Sequence, residues 1–505
     1  MHRVRLLRRP LLTLLVTVGI AACDRSSPVT NEPSSGTPSA RTPPPVTRSP
    51  AKVGGRTNVL LIVADDLGWG DLSCYGNERF RTPALDRLAA EGIRFTQGYQ
   101  AASTCSPARA AMLTGRWPAE LGIHAPLMHQ RPDNSGTSGP RLAPDTPTIA
   151  DVLRAEGYET VHIGKWHLSL DATRATLADY GFTTAHWVEG KEDGANAVGA
   201  RRNLYAIAER PTNSATLVDA TLAAIDATGT TPFYCQLWLS DVHAPVAPSA
   251  EQRMPFRVGV PDGFTAPIEV YAAAVTEMDR QIGRLLDGID ARGLTEDTIV
   301  IFTSDNGPAS DVMSTVAWSA AGSAGPFRGM KRSLYEGGVR VPWIVRWPGH
   351  APAGTVNRSG VVCGIDLLPT IAECVRAPLS AELTASLRGE SVATEITGAD
   401  AGRTHPLFWE WRSPPRGPMV SRSPSLAMRE GKWKLLANPD DARLELFDLE
   451  SDPSELDNLA RVEPMLAARL RSQLLAWSRA LPPRETRVDH TDTHDSNGSN
   501  ALNDD

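Results

Sequence analysis

The chain has 505 residues, 41 of them Gly and 40 Pro, with 41 % hydrophobic and 22 % charged residues. This profile excludes a fibrous or mainly disordered polymer and allows one large core with a smaller unit beside it. Lys and Arg number 51 against 58 Asp and Glu, a formal charge of −7, so no basic excess advertises nucleic acid or an anionic membrane surface as a partner.

The first element is an apolar run, Leu11 to Ala22, preceded by Arg3, Arg5, Arg8 and Arg9. It is shorter than the roughly 20 residues of a membrane span, and its charged-then-apolar order is that of an export signal over residues 1–22. The run ends Ile20-Ala21-Ala22-Cys23 and resembles a bacterial lipoprotein signal. That resemblance implies a lipid on Cys23, contact with a membrane only through that lipid, and an envelope or periplasmic location. Plain signal-peptidase cleavage suits the same small residues, and either route exports the chain. Residues 23–57 are rich in Pro, Ser and Thr and lack apolar periodicity; they read as a tether that cannot offset its own ordering entropy.

A folded domain over residues 58–400 opens with Asn58-Val-Leu-Leu-Ile-Val-Ala64, an unbroken apolar run expected of a strand buried on both faces. Thr82 and Pro83 form an N-cap and first-turn pair for a helix carrying Leu85 and Leu88 and stopped by Gly92. Thr148 and Gly157 bracket Ile149, Val152 and Leu153 in the same way. A long helix from about Ile268 to Ile289 places Tyr271, Val275, Met278, Ile282, Leu285 and Ile289 on one face, then feeds a buried strand, Thr298 to Phe302. Strands alternating with helices predict an α/β fold, a large and mostly parallel sheet with helices on both faces. Residues 401–482 predict a small α+β unit: Lys432 to Leu435 and Leu444 to Phe447 as antiparallel strands, Pro464 to Leu481 as a terminal helix. Residues 483–505 are a polar, acidic tail.

Three apolar strands end alike, in Asp65-Asp66, in Ser240-Asp241-Val242-His243 and in Ser304-Asp305-Asn306. Sites in open α/β sheets form beyond the carboxyl ends of strands, so these groups are expected to meet. Asp65, Asp66, Asp305 and Asn306 are hard oxygen donors, and gathering three carboxylates calls for a cation, calcium or else magnesium; zinc or copper would recruit His or Cys. Cys105 opens a short helix marked by Pro107 and Gly115, where backbone N–H groups favour an anion, and Arg109 follows on the same face. Of the six cysteines, Cys363 with Cys374 is a possible bridge and buried free thiols are equally expected, so the pattern of Cys74, Cys235, Cys363 and Cys374 stays open.

Cys105-Ser-Pro-Ala-Arg109 followed by Leu113-Thr-Gly115 resembles the signature of the type I sulfatases, whose cysteine is oxidised to formylglycine by a formylglycine-generating enzyme. Other family segments follow in order: Asp65 to Gly68, Gly164-Lys-Trp-His-Leu168, His243-Ala-Pro245, Ser304 to Gly307, Arg328-Gly-Met-Lys331, Tyr335 to Pro342, and Asp452 to Leu459. The likeness covers about residues 58–460 and implies an alkaline-phosphatase-like fold. One departure is Ser169, where a glycine usually follows Lys-Trp-His-Leu. Ser169 to Thr230 and Trp411 to Ser425 match no family segment and are expected to choose the substrate.

The resemblance implies a sulfuric ester hydrolase. Asp65, Asp66, Asp305 and Asn306 would hold one calcium ion that also touches residue 105, whose hydrated aldehyde attacks sulfur. Arg109 and Lys165 would orient that group, with Lys165 and His167 on one side of an extended loop and Trp166 on the other. His167 would be the base that expels sulfate, and His243 and Lys331 would contact the ester, His243 as the acid for the leaving alcohol. The substrate class is an aryl or, in an exported bacterial enzyme, a carbohydrate sulfate. Two other readings are a phosphate or phosphonate monoester hydrolase on the same scaffold, and a non-catalytic carbohydrate-binding lipoprotein in which Cys105 stays a thiol.

Overall fold

The structure is a computed structural model that describes residues 56–127, 141–169, 177–186, 206–257, 259, 265–309, 318–399, 401–412, 419–440 and 442–482. Residues 1–55, where a leader and tether are expected, and the acidic tail from residue 483 lie outside the described residues, as do parts of the two segments expected to choose the substrate.

Eight strands build the large sheet: β1 (Asn58–Ala64), β2 (Ile93–Tyr99), β3 (Glu159–Gly164), β4 (Thr184–His186), β5 (Phe233–Leu239), β6 (Thr298–Ser304), β7 (Arg340–Arg346) and β8 (Thr355–Cys363). Their order is β4-β3-β5-β1-β6-β7-β2-β8. β1 lies between β5 and β6, parallel to both, and every one of its residues is buried, which is why its sequence is apolar without alternation. β7 alone runs against its neighbours β6 and β2, so the sheet is mixed but mostly parallel.

Alternate residues of β1 face two different cores. Val59, Leu61 and Val63 pack with α2 (Cys105–Thr114), α3 (Ile149–Ala155) and a helix at Leu367–Val375. Leu60, Ile62 and Ala64 pack with α1 (Pro83–Glu91), α4 (Asn213–Thr228) and α5 (Pro267–Ala291). In α5 the six residues predicted for one face are all buried, each contributing roughly 1.5–3 kcal/mol on leaving water. Helix α3 begins with a reciprocal cap: Asp151 N–H donates to Thr148 Oγ1 at 3.2 Å and Thr148 N–H to Asp151 Oδ2 at 3.1 Å.

The cap expected for α1 is supplied differently. Thr82 occupies the N-cap position, but its hydroxyl accepts from Ser73 N–H at 2.9 Å. The helix N–H groups of Ala84 and Leu85 donate instead to the Asp279 carboxylate of α5, at 3.0 and 2.9 Å.

The C-terminal part carries a second sheet of β9 (Leu407–Glu410), β10 (Leu426–Glu430), β11 (Trp433–Ala437) and β12 (Leu444–Asp448), antiparallel in the order β12-β11-β10-β9. Leu426, Met428, Leu435 and Leu446 pack against the terminal helix Pro464–Ala480, while Leu407, Trp409 and Phe447 on the other face meet Tyr99 and Tyr335 of the large unit. Cys363 and Cys374 are free thiols, as are Cys74, Cys105 and Cys235. Burial pushes the thiols of Cys74, Cys235, Cys363 and Cys374 up to about 12, which suits packed and unreactive sulfur.

Candidate active site

The chain leaves β1 at Ala64 and turns at once, because Asp66 adopts a left-handed conformation with φ of 65°, a strained state that Asp tolerates better than most residues. Neighbouring β6 holds this turn. Asp66 N–H donates to Asp305 Oδ1 at 3.1 Å and Leu67 N–H to Ser304 Oγ at 3.0 Å. A close approach at Gly307 completes the β6 tip: a Cβ there would lie 1.9 Å from the Gly337 carbonyl oxygen, so no other residue fits.

Helix α2 brings Cys105 to these strand tips. All ten residues of α2 are buried, and Gly115 ends the helix with φ of 66°. The Cys105 sulfur and one carboxylate oxygen each of Asp65 and Asp305 lie within 4.8 Å of one another. A second group, Asp65, Asp66 and His243, meets by the same measure.

Basic side chains close over the acids. The Arg109 fork donates from Nε and Nη2 to Asp305 Oδ2 at 2.9 and 2.7 Å and from Nη1 to the Lys165 carbonyl at 3.0 Å, with its plane over Trp238. Lys165 Nζ lies 2.7 Å from Asp65 Oδ2, and Lys331 Nζ donates to both oxygens of Asp66 at 2.5 and 2.7 Å. His243 Nε2 stands 3.7 Å from Asp66 Oδ2, while its Nδ1 meets the Ala244 carbonyl at 2.7 Å. Asn306 Nδ2 donates to Asp66 Oδ1 at 2.8 Å.

Electrostatics follow from burial and crowding. Burial opposes ionisation of Asp65, but the facing cations Lys165, Arg109 and Lys331 outweigh it and hold the carboxyl well below the usual range. Asp66 is lowered in the same way, chiefly by Lys331 against its burial. Asp305 is raised well above the usual range, by burial and by the Asp65 charge, with Arg109 opposing. Burial pushes His243 below its ordinary value, so the imidazole of the free site is neutral at pH 7. Lys331 is raised despite its burial because Asp66 faces it.

The donor set fits a hard cation. Buried Asp65 Oδ1 and Asn306 Oδ1 have no hydrogen-bond partner among the described residues, and a third carboxylate is pushed toward protonation beside them. A divalent ion would satisfy the oxygens and relieve the repulsion together.

The structure thus brings together Asp65, Asp66, Cys105, Arg109, Lys165, His243, Asp305, Asn306 and Lys331. For His167 it corrects the expected path. The loop is not extended there, since His167 has φ of 56°, and its Nε2 lies 2.7 Å from the Leu127 carbonyl. The alternation assumed for Lys165, Trp166 and His167 therefore does not apply, although Trp166 does pack inward against Trp238. Ser169 caps this loop by accepting from Trp166 Nε1 at 3.1 Å.

Sequence reasoning missed Asp71. Its buried carboxylate accepts from Gly68 N–H at 2.7 Å, Tyr271 OH at 2.7 Å and Ser323 N–H at 2.9 Å, tying the turn after β1 to the segment that leads to Lys331. Only its spacing three residues after Gly68 could have signalled this, as a local turn contact.

A family profile described as Sulfatase matches residues 57–377, and one described as N-sulphoglucosamine sulphohydrolase, C-terminal, matches residues 325–479. Arylsulfatase A of Homo sapiens is 32 % identical over 399 residues, covering 75 % of this chain and 74 % of its own length. The N-acetylgalactosamine-6-O-sulfatase of Bacteroides thetaiotaomicron is 27 % identical over 512 residues, covering 83 % and 92 %. Among solved structures, Ps i-CgsB in complex with k-i-k-neocarrahexaose superposes with a TM-score of 0.69 at 24 % identity, covering 85 % of this chain and 94 % of that one. A phosphonate monoester hydrolase from Silicibacter pomeroyi gives 0.60 at 21 %, covering 85 % and 96 %; these two likenesses bear on the fold alone, which is alkaline-phosphatase-like. With the profile spanning well over half of its length, the chain belongs to the sulfatase family, and it is an enzyme of the sulfuric ester hydrolase class.

Proposed function

We propose that this sulfatase hydrolyses a carbohydrate sulfate ester, using formylglycine derived from Cys105 and a calcium ion held by Asp65, Asp66, Asp305 and Asn306. The observation that carries the reading is the meeting of the Cys105 sulfur with Asp65 and Asp305 oxygens at a helix start. The carbohydrate class is supported by the name of the Bacteroides relative, an N-acetylgalactosamine-6-O-sulfatase. Calcium would supply charge to polarise the sulfate group, and formylglycine would supply the oxygen nucleophile for sulfur.

The chain's own side chains do the rest. Arg109, fixed by Asp305, holds residue 105 in register with the acids and cannot itself move a proton. Lys331 keeps its charge beside Asp66 and is the cation poised for sulfate oxygens. His243 donates Nδ1–H to the Ala244 carbonyl, which leaves Nε2 toward the site. A bound sulfate anion raises the depressed affinity of Nε2 for a proton, so substrate binding loads the acid that the leaving alkoxide needs. Lys165 orients residue 105 from the Asp65 side, and His167 is the proposed base for sulfate release.

Mass spectrometry of the peptide containing residue 105, from protein made in a host that carries a formylglycine-generating enzyme, should show the aldehyde; unmodified cysteine throughout would overturn the reading. A panel of sulfated mono- and oligosaccharides, an aryl sulfate and a phosphonate monoester should give turnover on sulfates first. Turnover of the phosphonate alone would favour the alternative chemistry. We also propose that the chain is exported and anchored by lipid on Cys23, so Cys23→Ser should move it from the membrane fraction to the soluble one.

A further inference from the structure

The loop that carries His243 is held from behind by the side chain of Arg210, which no family segment of the sequence includes. Arg210 lies in a short turn, Arg210–Thr212, immediately before α4, and is only 5 % exposed. Its guanidinium spreads over the His243 loop: Nε donates to the Pro245 carbonyl, Nη2 to the His243 carbonyl, and Nη1 to Ser240 Oγ at 3.1 Å. Ser240 is fully buried and also accepts from Asn213 Nδ2 at 3.1 Å, so the first residue of α4 secures the same hydroxyl. Three acceptors spaced along six residues are thereby gripped by one planar fork, a task that a lysine ammonium cannot reproduce.

The grip bears on the imidazole. The carbonyls that Arg210 holds, those of His243 and Pro245, flank the Ala244 carbonyl, and the Ala244 carbonyl is the partner of His243 Nδ1 at 2.7 Å. Fixing the two outer carbonyls fixes the direction of the middle one. The middle one selects the tautomer with hydrogen on Nδ1 and leaves Nε2 to face Asp66 and the substrate.

We propose that Arg210 is a positioning residue for the sulfatase reaction, acting through the His243 loop to set the orientation and tautomer of the imidazole. This rests on the acid role proposed for His243. Arg210→Lys in the full, matured chain is expected to lower kcat on 4-nitrophenyl sulfate by about tenfold to a hundredfold with KM nearly unchanged, since a small misplacement of a reacting group costs on that order. Arg210→Ala should be no worse than Arg210→Lys, because the fork and not the charge is what counts. Added to His243→Ala, Arg210→Lys should cause no further loss. Additive losses, or a raised KM with kcat intact, would overturn the proposal.

A readout without turnover separates this claim from the proposed reaction. Nitrogen NMR of the histidine rings, with His243 assigned by its disappearance in His243→Ala, should report hydrogen on Nδ1 in the wild type and a mixture of tautomers in Arg210→Lys. An unchanged ring signal refutes the positioning role even where the enzyme is active. An inactive wild type refutes the proposed function and leaves the ring signal to decide on Arg210. Should Arg210→Lys fail to fold, Ser240→Ala, which removes one acceptor, should show the same kcat and ring signature at smaller amplitude; its absence there counts against the proposal.

Discussion

Asp71 shows how one buried carboxyl can couple the active-site turn to pH. Burial pushes it up to about 7, against about 3.9 for an aspartate in an unfolded chain. A group whose proton is held more tightly when folded stabilises the fold most below its unfolded value. The stabilisation from Asp71 is therefore complete below about pH 4 and fades as the pH rises to about 7. Asp71→Asn keeps the shape and removes the titration. Subtracting its stability from that of the wild type at each pH, by urea unfolding, should give a difference that falls between pH 4 and 7 and is flat above; a flat difference throughout would refute the assignment. Because Asp71 accepts from both Gly68 and Ser323, the same substitution is expected to lower activity without touching substrate.

Among the elements, those buried on both faces were the most legible. β1, β5 and β6 coincide with their apolar runs because a strand between two helical layers has no reason to alternate. The short β9 and β10 were missed: Leu407–Glu410 has only four residues, and Leu-Ala-Met-Arg-Glu carries no period of two. The α1 cap was misassigned for a different reason, since Asp279 comes from α5, nearly two hundred positions away, and no local pattern announces it. Asp279→Ala is expected to cost about 0.5–2 kcal/mol, as for the loss of an N-cap, and to speed amide exchange at Ala84 and Leu85 in particular. The candidate site residues are legible because each sits in a contiguous motif: Asp65, Asp66, Asp305 and Asn306 at strand tips, Cys105 and Arg109 in the first turns of a helix, and Lys165, His243 and Lys331 in loops. Their pairings, Arg109 with Asp305, Lys165 with Asp65 and Lys331 with Asp66, are long-range and could be read only from the fold. His167 was misoriented because a left-handed residue breaks the alternation that a local reading assumes.

Across the whole molecule, a fully buried ionic cluster joins the two sheets. Lys434 of β11 lies 2.8 Å from Glu336 Oε1 and 3.1 Å from Glu455 Oε1, and Glu336 Oε2 also accepts from Tyr99 OH and Arg340. Burial works against Glu336, yet Lys434, Arg340 and Arg429 hold it down to about 2, while burial and the Glu336 charge push Glu455 up to about 8. Glu336 lies five residues after Lys331, so the cluster anchors the segment that delivers that lysine to the site. Lys434→Met should cost about 3–5 kcal/mol in urea unfolding, because two acids then share a dry space without their common cation. Removing the proposed calcium ion with a chelator should likewise lower the unfolding midpoint and abolish turnover, and excess calcium should restore both; a ligand at a hundred times its Kd contributes about 2.7 kcal/mol. An unmoved midpoint after exhaustive chelation would argue against the proposed ion.

The complete enclosure of α2 has a consequence for biosynthesis. Residue 105 has 1 % of its surface open to solvent, too little for another protein to grasp. If its side chain is matured as proposed, the maturing catalyst has to meet a nascent or unfolded chain, and compaction becomes a deadline. Chains that collapse early would persist as well-folded but inert thiol forms, rescued only by unfolding and a second passage, and the active fraction of a preparation would record the outcome of that race.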